Sequence, residues 1–175
     1  MNYDYRGMIV EYWDLLRGDT SQWSSRPYFL NVIRESGEPV LDVACGTGRL
    51  LLDYLQESID IDGVDNSPDM ITKARENAEA LGLHPNLYVQ AMQSLDIPRR
   101  YRTIIVPSSS FLHLTRQEDI RAALERFRQH LVPGGTLAMS LRIMDPDPVE
   151  TDWEIIAEAV RPSDGALVRR WFRCR

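Results

Sequence analysis

The sequence predicts an α/β protein, a doubly wound sandwich of three layers around a mostly parallel sheet, and three observations predict it. Between residues 40 and 141, short apolar runs alternate with amphipathic segments of helical spacing. That alternation builds strand–helix–strand units with right-handed crossovers and helices on both faces of the sheet. A glycine-rich turn, Gly46-Thr47-Gly48, follows the first apolar run directly, and an acid, Asp65, closes the second. Both stand at strand carboxyl ends, where this architecture binds its ligands. Finally, 175 residues with 43% hydrophobic and 26% charged side chains match one soluble domain with a sizeable core. Residues 1–37 read as a helical N-terminal lid, 38–142 as the core and 143–175 as a partial C-terminal region.

The elements follow in order. Tyr5 to Leu16 carries Met8, Ile9, Tyr12, Trp13 and Leu16 at helical spacing, with Gly18 and Asp19 ending the helix. A second helix starts at Arg26-Pro27, where proline suits a first turn, and runs to Glu35. Val40 to Ala44 is a buried strand bounded by Pro39 and Gly46, and Arg49 to Gln56 a leucine-faced helix. Ile59 to Asp65 is the second strand. Ser67 caps the helix that follows, with Pro68 at its first position and Asp69 in its first turn; it runs to Leu81 and closes at Gly82. Leu87–Gln90 and Thr103–Val106 are the third and fourth strands. Thr115 caps a helix through His130, with Ile120, Leu124, Phe127 and Leu131 on its buried stripe. Pro133-Gly134-Gly135 turns into a fifth strand, Thr136–Leu141; beyond it Glu150–Arg161 reads as helix and Leu167–Arg173 as strand.

Composition narrows the partners. A net charge of −6 argues against a nucleic-acid partner, which usually rests on a basic face. No apolar run is long enough for a membrane span, and residues 1–17 do not resemble a secretion signal. Cys45 and Cys174 lie too far apart for a zinc spacing, so no metal is expected; Cys45 reads as a buried thiol in a reducing, cytoplasmic setting. The oligomeric state stays open.

The site is read from chemistry. Gly46 and Gly48 let the backbone take positive φ and approach a ligand closely. Asp65, about twenty residues on, is placed to accept the two hydroxyls of an adenosine ribose. Asp42, ending the first strand, suits a ligand ammonium or braces the glycine loop by accepting its amides. A dinucleotide site commonly needs a third glycine, where this chain has Leu51. A nicotinamide-dependent oxidoreductase is therefore the weaker enzyme reading.

VLDVACGTG, GVDNSPDMI, IIVPSSSFLHL and LVPGGTLAMS, in that order, resemble the successive motifs of class I S-adenosylmethionine-dependent methyltransferases of the small-molecule type. The resemblance covers roughly residues 38–142. It implies a Rossmann-like fold, S-adenosyl-L-methionine as cofactor and a small-molecule acceptor. Gly46 and Gly48 would lie against its methionine part, Asp65 on the ribose, and Asn66 and Met70 beside the adenine. Ala44 stands where many members have glycine. Ala91 falls where the family commonly has an acid that binds the adenine amino group, leaving Met92 to flank the ring. Ser108, with Pro107, Ser109, Ser110 and Phe111, lies where the methyl group emerges, and His113 is a candidate general base. In the N-terminal aromatic cluster of Tyr3, Tyr5, Tyr12, Trp13, Trp23 and Tyr28, Tyr12 is the candidate to face the sulfonium. The family follows strand five with two more antiparallel strands. Only the first has an evident counterpart here, so a truncated or non-catalytic S-adenosylmethionine-binding protein is the alternative from another class, with an exposed sheet edge.

Overall fold

The computed structural model describes residues 5–18, 20–143 and 150–173; Tyr3, Asp19 and Cys174 lie outside these ranges. Five parallel strands form the main sheet: β1 (Val40–Val43), β2 (Ile61–Asp65), β3 (Leu87–Val89), β4 (Tyr101–Val106) and β5 (Leu131–Met139), in the order β3-β2-β1-β4-β5. The chain winds outward from β1 in one direction, then returns to start β4 on its other side. That reversal opens a crevice beyond the carboxyl ends of β1 and β4.

Every residue of β1 and β2 is buried, because helices cover both faces. The two-residue period of a strand then sorts side chains between two cores. Val40 and Ile105 pack with α3 (Ser25–Ser36), α4 (Arg49–Gln56) and α5 (Pro68–Ala80). Leu41, Val43, Ile104 and Val106 pack with Phe127 and Ala123 of α6 (Gln117–His130). The start of α5 follows the sequence reading: Ser67 Oγ accepts from the Met70 amide at 3.1 Å, Pro68 opens the helix, and Gly82 beyond its end has φ +68°. A short turn of 3₁₀ helix, Met92–Ser94, precedes β4.

Five expectations are corrected. The N-terminal segment is not one helix but two, α1 (Met8–Glu11) and α2 (Trp13–Arg17), broken at Tyr12 with φ −101° and ψ 6°. Long-range ties hold each piece separately. Gly7 N donates to Asp69 Oδ2 at 2.8 Å, while Asp14 accepts from Thr47 Oγ1 at 2.6 Å and from Asn77 Nδ2 at 2.9 Å.

Thr115 does not cap α6, which begins at Gln117 with no side-chain cap bond and Glu118 and Asp119 in its first turn. Its buried stripe is Ala123, Phe127 and His130, one residue out of phase with the expected Leu124, which is exposed. His130 faces inward, its Nε2 accepting from the Ile97 amide at 3.2 Å. The fifth strand starts earlier than expected, at Leu131, and carries a bulge. Tyr101 is opposite Leu131 but Thr103 is opposite Thr136, so the four residues Val132 to Gly135 face the single residue Arg102. Gly134 there has φ +73°, and a Cβ on Gly135 would stand 3.0 Å from the carbonyl oxygens of Arg102 and Val132.

The segment expected to be helical over 150–161 contains instead β6 (Glu154–Val160), paired antiparallel with β7 (Leu167–Phe172). Glu158 lies opposite Arg169 and binds it at 2.5 Å, a cross-strand pair that a helix would forfeit. Among the described residues these two strands form a sheet of their own rather than extending the main one. Helix α2 packs against both.

Candidate functional site

The crevice beyond β1, β2 and β4 holds a cavity of about 420 Å³, within the range of small-ligand sites. The backbone leaves β1 through Ala44 at φ +58°, a left-handed conformation rare for a residue with a Cβ, and reaches Gly46 at the same φ. A Cβ built on Gly46 would meet only Met70 Sδ at 4.0 Å, so this glycine presents bare backbone to open space. Gly48 (φ +89°) looks the other way: its Cβ would meet Leu52 Cγ at 3.0 Å, behind the loop at the start of α4.

Two buried carboxylates flank this loop and do different work. Asp65 braces it, Oδ2 accepting from the Gly46 amide and Oδ1 from the Ser67 amide, each at 2.9 Å. Asp42 is only 1% exposed, and its Oδ1 has no hydrogen-bond partner among the described residues. Burial raises the Asp42 carboxyl to about 8, with the negative charge of Asp65 adding to the rise and the nearby Arg49 guanidinium opposing it. The bracing role weighed for Asp42 therefore falls to Asp65, and Asp42 is left with an unmet demand for a donor.

Asp42, Ala44, Gly46, Asp65, Asn66, Met70, Ala91, Met92, Ser108 and His113 all line the cavity. Gly48 and Tyr12 do not. Tyr12 is turned away because its hydroxyl binds Arg161, whose guanidinium lies 5.5 Å over the tyrosine ring. Tyr5 takes the place at the cavity instead, its carbonyl accepting from the Ser67 hydroxyl and its ring 4.9 Å from Trp13 and 6.4 Å from His113. After β4, Ser108 and Ser109 both have φ +57°, and Ser109 N is held by Ser140 Oγ at 3.0 Å. Two consecutive residues in that region concentrate backbone strain at the cavity rim.

Sequence reasoning missed three lining cations, Arg17, Arg49 and Arg116. Arg49 donates to Ser25 Oγ at 3.3 and 3.4 Å and to Ser108 Oγ at 3.4 Å. A signal was present: Arg49 opens α4, where the helix dipole disfavours a cation, so some other interaction must hold it there.

Comparison with known proteins bears on this geometry. A family described as "Methyltransferase domain" matches residues 40–135, from β1 to the bulge of β5. The chain belongs to this methyltransferase family. It is 30% identical over 167 residues to the dTDP-3-amino-3,4,6-trideoxy-alpha-D-glucopyranose N,N-dimethyltransferase of Streptomyces venezuelae, covering 95% of this chain and 62% of that protein. It is 33% identical over 147 residues to the glycine/sarcosine N-methyltransferase of Halorhodospira halochloris, covering 81% of this chain and 54% of that protein. This methyltransferase domain thus spans little more than half the length of such relatives. Among solved structures, Streptomyces venezuelae DesVI superposes with a TM-score of 0.76 at 24% identity, covering 97% of this chain and 71% of that one. The glycopeptide N-methyltransferase MtfA complexed with S-adenosyl-L-methionine gives a TM-score of 0.62 at 22% identity, covering 86% and 65%. These two likenesses establish the Rossmann-like fold of the methyltransferase domain.

Proposed function

We propose that this domain binds S-adenosyl-L-methionine in the cavity and directs its methyl group to the amine of a small molecule. The observation that carries the reading is the buried, unpartnered Asp42 Oδ1 beside the bare backbone of Gly46. The carboxylate that forms there when the proton is released suits the ammonium of the cofactor's amino-acid end, directly or through a water. Asp65, whose two oxygens each accept one backbone amide, stands at the end of β2, where this architecture presents an acid to the ribose hydroxyls. Asn66, Met70 and Met92 border the adenine, while Ala91 gives it no side-chain acceptor.

The bound cofactor supplies a methyl group already activated on a sulfonium. The chain's own contribution is placement: β1 and β2 set the donor's two ends, and the rim at Ser108 and His113 aligns the acceptor nitrogen and excludes water. His113 stands where it can take a proton from an acceptor ammonium, and no residue need act covalently. The amine is favoured because both relatives named above are N-methyltransferases. Among the described residues no helix is long and apolar enough to cross a membrane. A reducing, cytoplasmic setting suits the buried free thiol of Cys45.

Calorimetric titration with S-adenosylmethionine, S-adenosylhomocysteine and NADH tests the reading. The first two bind and NADH does not; binding of NADH alone overturns it.

A further inference from the structure

The two N-terminal helices are fastened to the main domain on either side of their break. Ahead of α1, Gly7 N donates to Asp69 of α5; within α2, Asp14 accepts from Thr47 and Asn77. The break itself, at Tyr12, is held from a different quarter. Its hydroxyl accepts from Arg161 Nη1, and that guanidinium lies 5.5 Å over the tyrosine ring. Glu11 Oε1 stands 3.9 Å from the same nitrogen. Arg161 opens the turn between β6 and β7, so the contact joins the C-terminal hairpin to the N-terminal helices, 149 residues apart.

The turn is built to aim this guanidinium. Arg161 N donates to Ala166 O at 2.8 Å, and Gly165 N donates to Arg161 O at 2.9 Å, with Gly165 at φ +73°. Asp164 Oδ1 accepts from Ala166 N at 3.0 Å, which orients its carboxylate. Arg161 Nε and Nη2 then donate to the two Asp164 oxygens, at 2.8 and 2.5 Å. Such a bidentate pair fixes the guanidinium plane and directs Nη1 at Tyr12, a geometry that the point charge of a lysine does not reproduce.

The angle at the break matters to the cavity. Trp13 follows Tyr12 directly, Arg17 closes the same helix, and Tyr5 rests 4.9 Å from Trp13; all three line the cavity. Helices of 4 and 5 residues do not hold their own orientation. A rotation at Tyr12 therefore sweeps this wall unless something outside the segment fixes it.

We propose that Arg161 is a positioning residue: from the hairpin turn it sets the angle of the break at Tyr12 and so holds Tyr5 and Trp13 against a bound ligand. It touches neither the cavity nor the ligand and acts through Tyr12. This role rests on the cofactor reading only for the ligand whose release is measured.

The test uses the whole chain with Tyr12→Phe, Arg161→Lys and, as a reference, Arg169→Gln, which removes an ion pair confined to the hairpin. Tyr12→Phe keeps the ring and leaves the Arg161–Asp164 pair in place, so it separates the clasp from the fold of the turn. Amide hydrogen exchange over residues 8–17 becomes about tenfold faster in Tyr12→Phe and Arg161→Lys, with β1 and β7 unchanged. S-Adenosylhomocysteine leaves both variants about tenfold faster in stopped-flow measurements, while its association rate changes less than about twofold. Arg169→Gln alters neither quantity. Unaltered exchange over residues 8–17 in Tyr12→Phe overturns the proposal, as does faster exchange with unaltered ligand release. Exchange that quickens throughout the hairpin in Tyr12→Phe, with a lowered melting temperature, assigns the contact to the hairpin's own fold and also overturns it. If S-adenosylhomocysteine does not bind the unaltered chain, the cofactor reading fails separately, and exchange over residues 8–17 still decides whether Arg161 sets the break.

Discussion

The two ends of the cavity are built on opposite plans. At the β3 end the lining is apolar or neutral: Ala91 offers a methyl group, and Met92 and Met70 offer thioethers. At the α2–α4 end stand a buried acid with an idle oxygen and two guanidiniums without acid partners. The difference teaches where affinity resides. Contacts to a flat, neutral ring are shape-dependent and individually modest. A preformed arrangement of charges out of water discriminates strongly by the sign of what enters.

The comparison can be broken or sharpened by substitution. The largest effect falls on the brace between the two ends. Asp65→Ala removes the acceptor of two amides and the proposed ribose partner at once. It lowers stability by about 2–4 kcal/mol in urea unfolding, and weakens S-adenosylmethionine by about tenfold or more, some 1.4 kcal/mol, in calorimetry. Unaltered affinity in a folded Asp65→Ala protein would refute the ribose role.

Asp42→Asn comes next and has two opposite consequences. In the free protein the Asp42 carboxyl sits at about 8 against an ordinary 3.8. Between those pH values the unfolded chain has released a proton that the folded chain keeps, so stability falls as pH rises through the window and levels off above it. The asparagine variant loses that slope and is the more stable protein at pH 8, as thermal melts at pH 5 and 8 show. It also binds S-adenosylmethionine about tenfold less tightly. In the unaltered chain affinity climbs from pH 6 to 8, and binding at pH 7 releases a proton, seen as heats that vary with the buffer. A flat pH profile of affinity would separate Asp42 from the ammonium.

The smallest effect belongs to the neutral end. Ala91→Asp supplies an acceptor toward the adenine amino group and tightens S-adenosylhomocysteine by about 0.5–1.5 kcal/mol. Inosine-type analogues, which lack that amino group, gain nothing.

Much of the binding frame was legible because it is local. The glycine turn, the mostly apolar β1 and the Ser67-Pro68-Asp69 cap each lie within a few residues of what they determine. Which acid braces the loop was not legible, since Asp42 and Asp65 both end strands and only the fold shows Gly46 N turned toward Asp65. The break at Tyr12 escaped for the same reason, being imposed by Asp69, Thr47 and Asn77 far along the chain. Glu154-Ile-Ile-Ala-Glu-Ala is good local helix sequence, overridden by pairing with β7. Leu124 and Ala123 differ by one step of the helical wheel, and residue size misled the assignment where packing against the sheet decided it.

The tie between Asp14 and the glycine loop also bears on how the molecule breathes. Helix α2 buries no side chain fully and α1 buries only Val10, so the segment ahead of α3 adheres through a few polar bonds rather than through the core. Such a segment detaches at a free energy well below that of global unfolding. Its amides exchange with solvent before those of β1, and the wall carrying Tyr5, Trp13 and Arg17 swings clear while the sheet beneath stays intact.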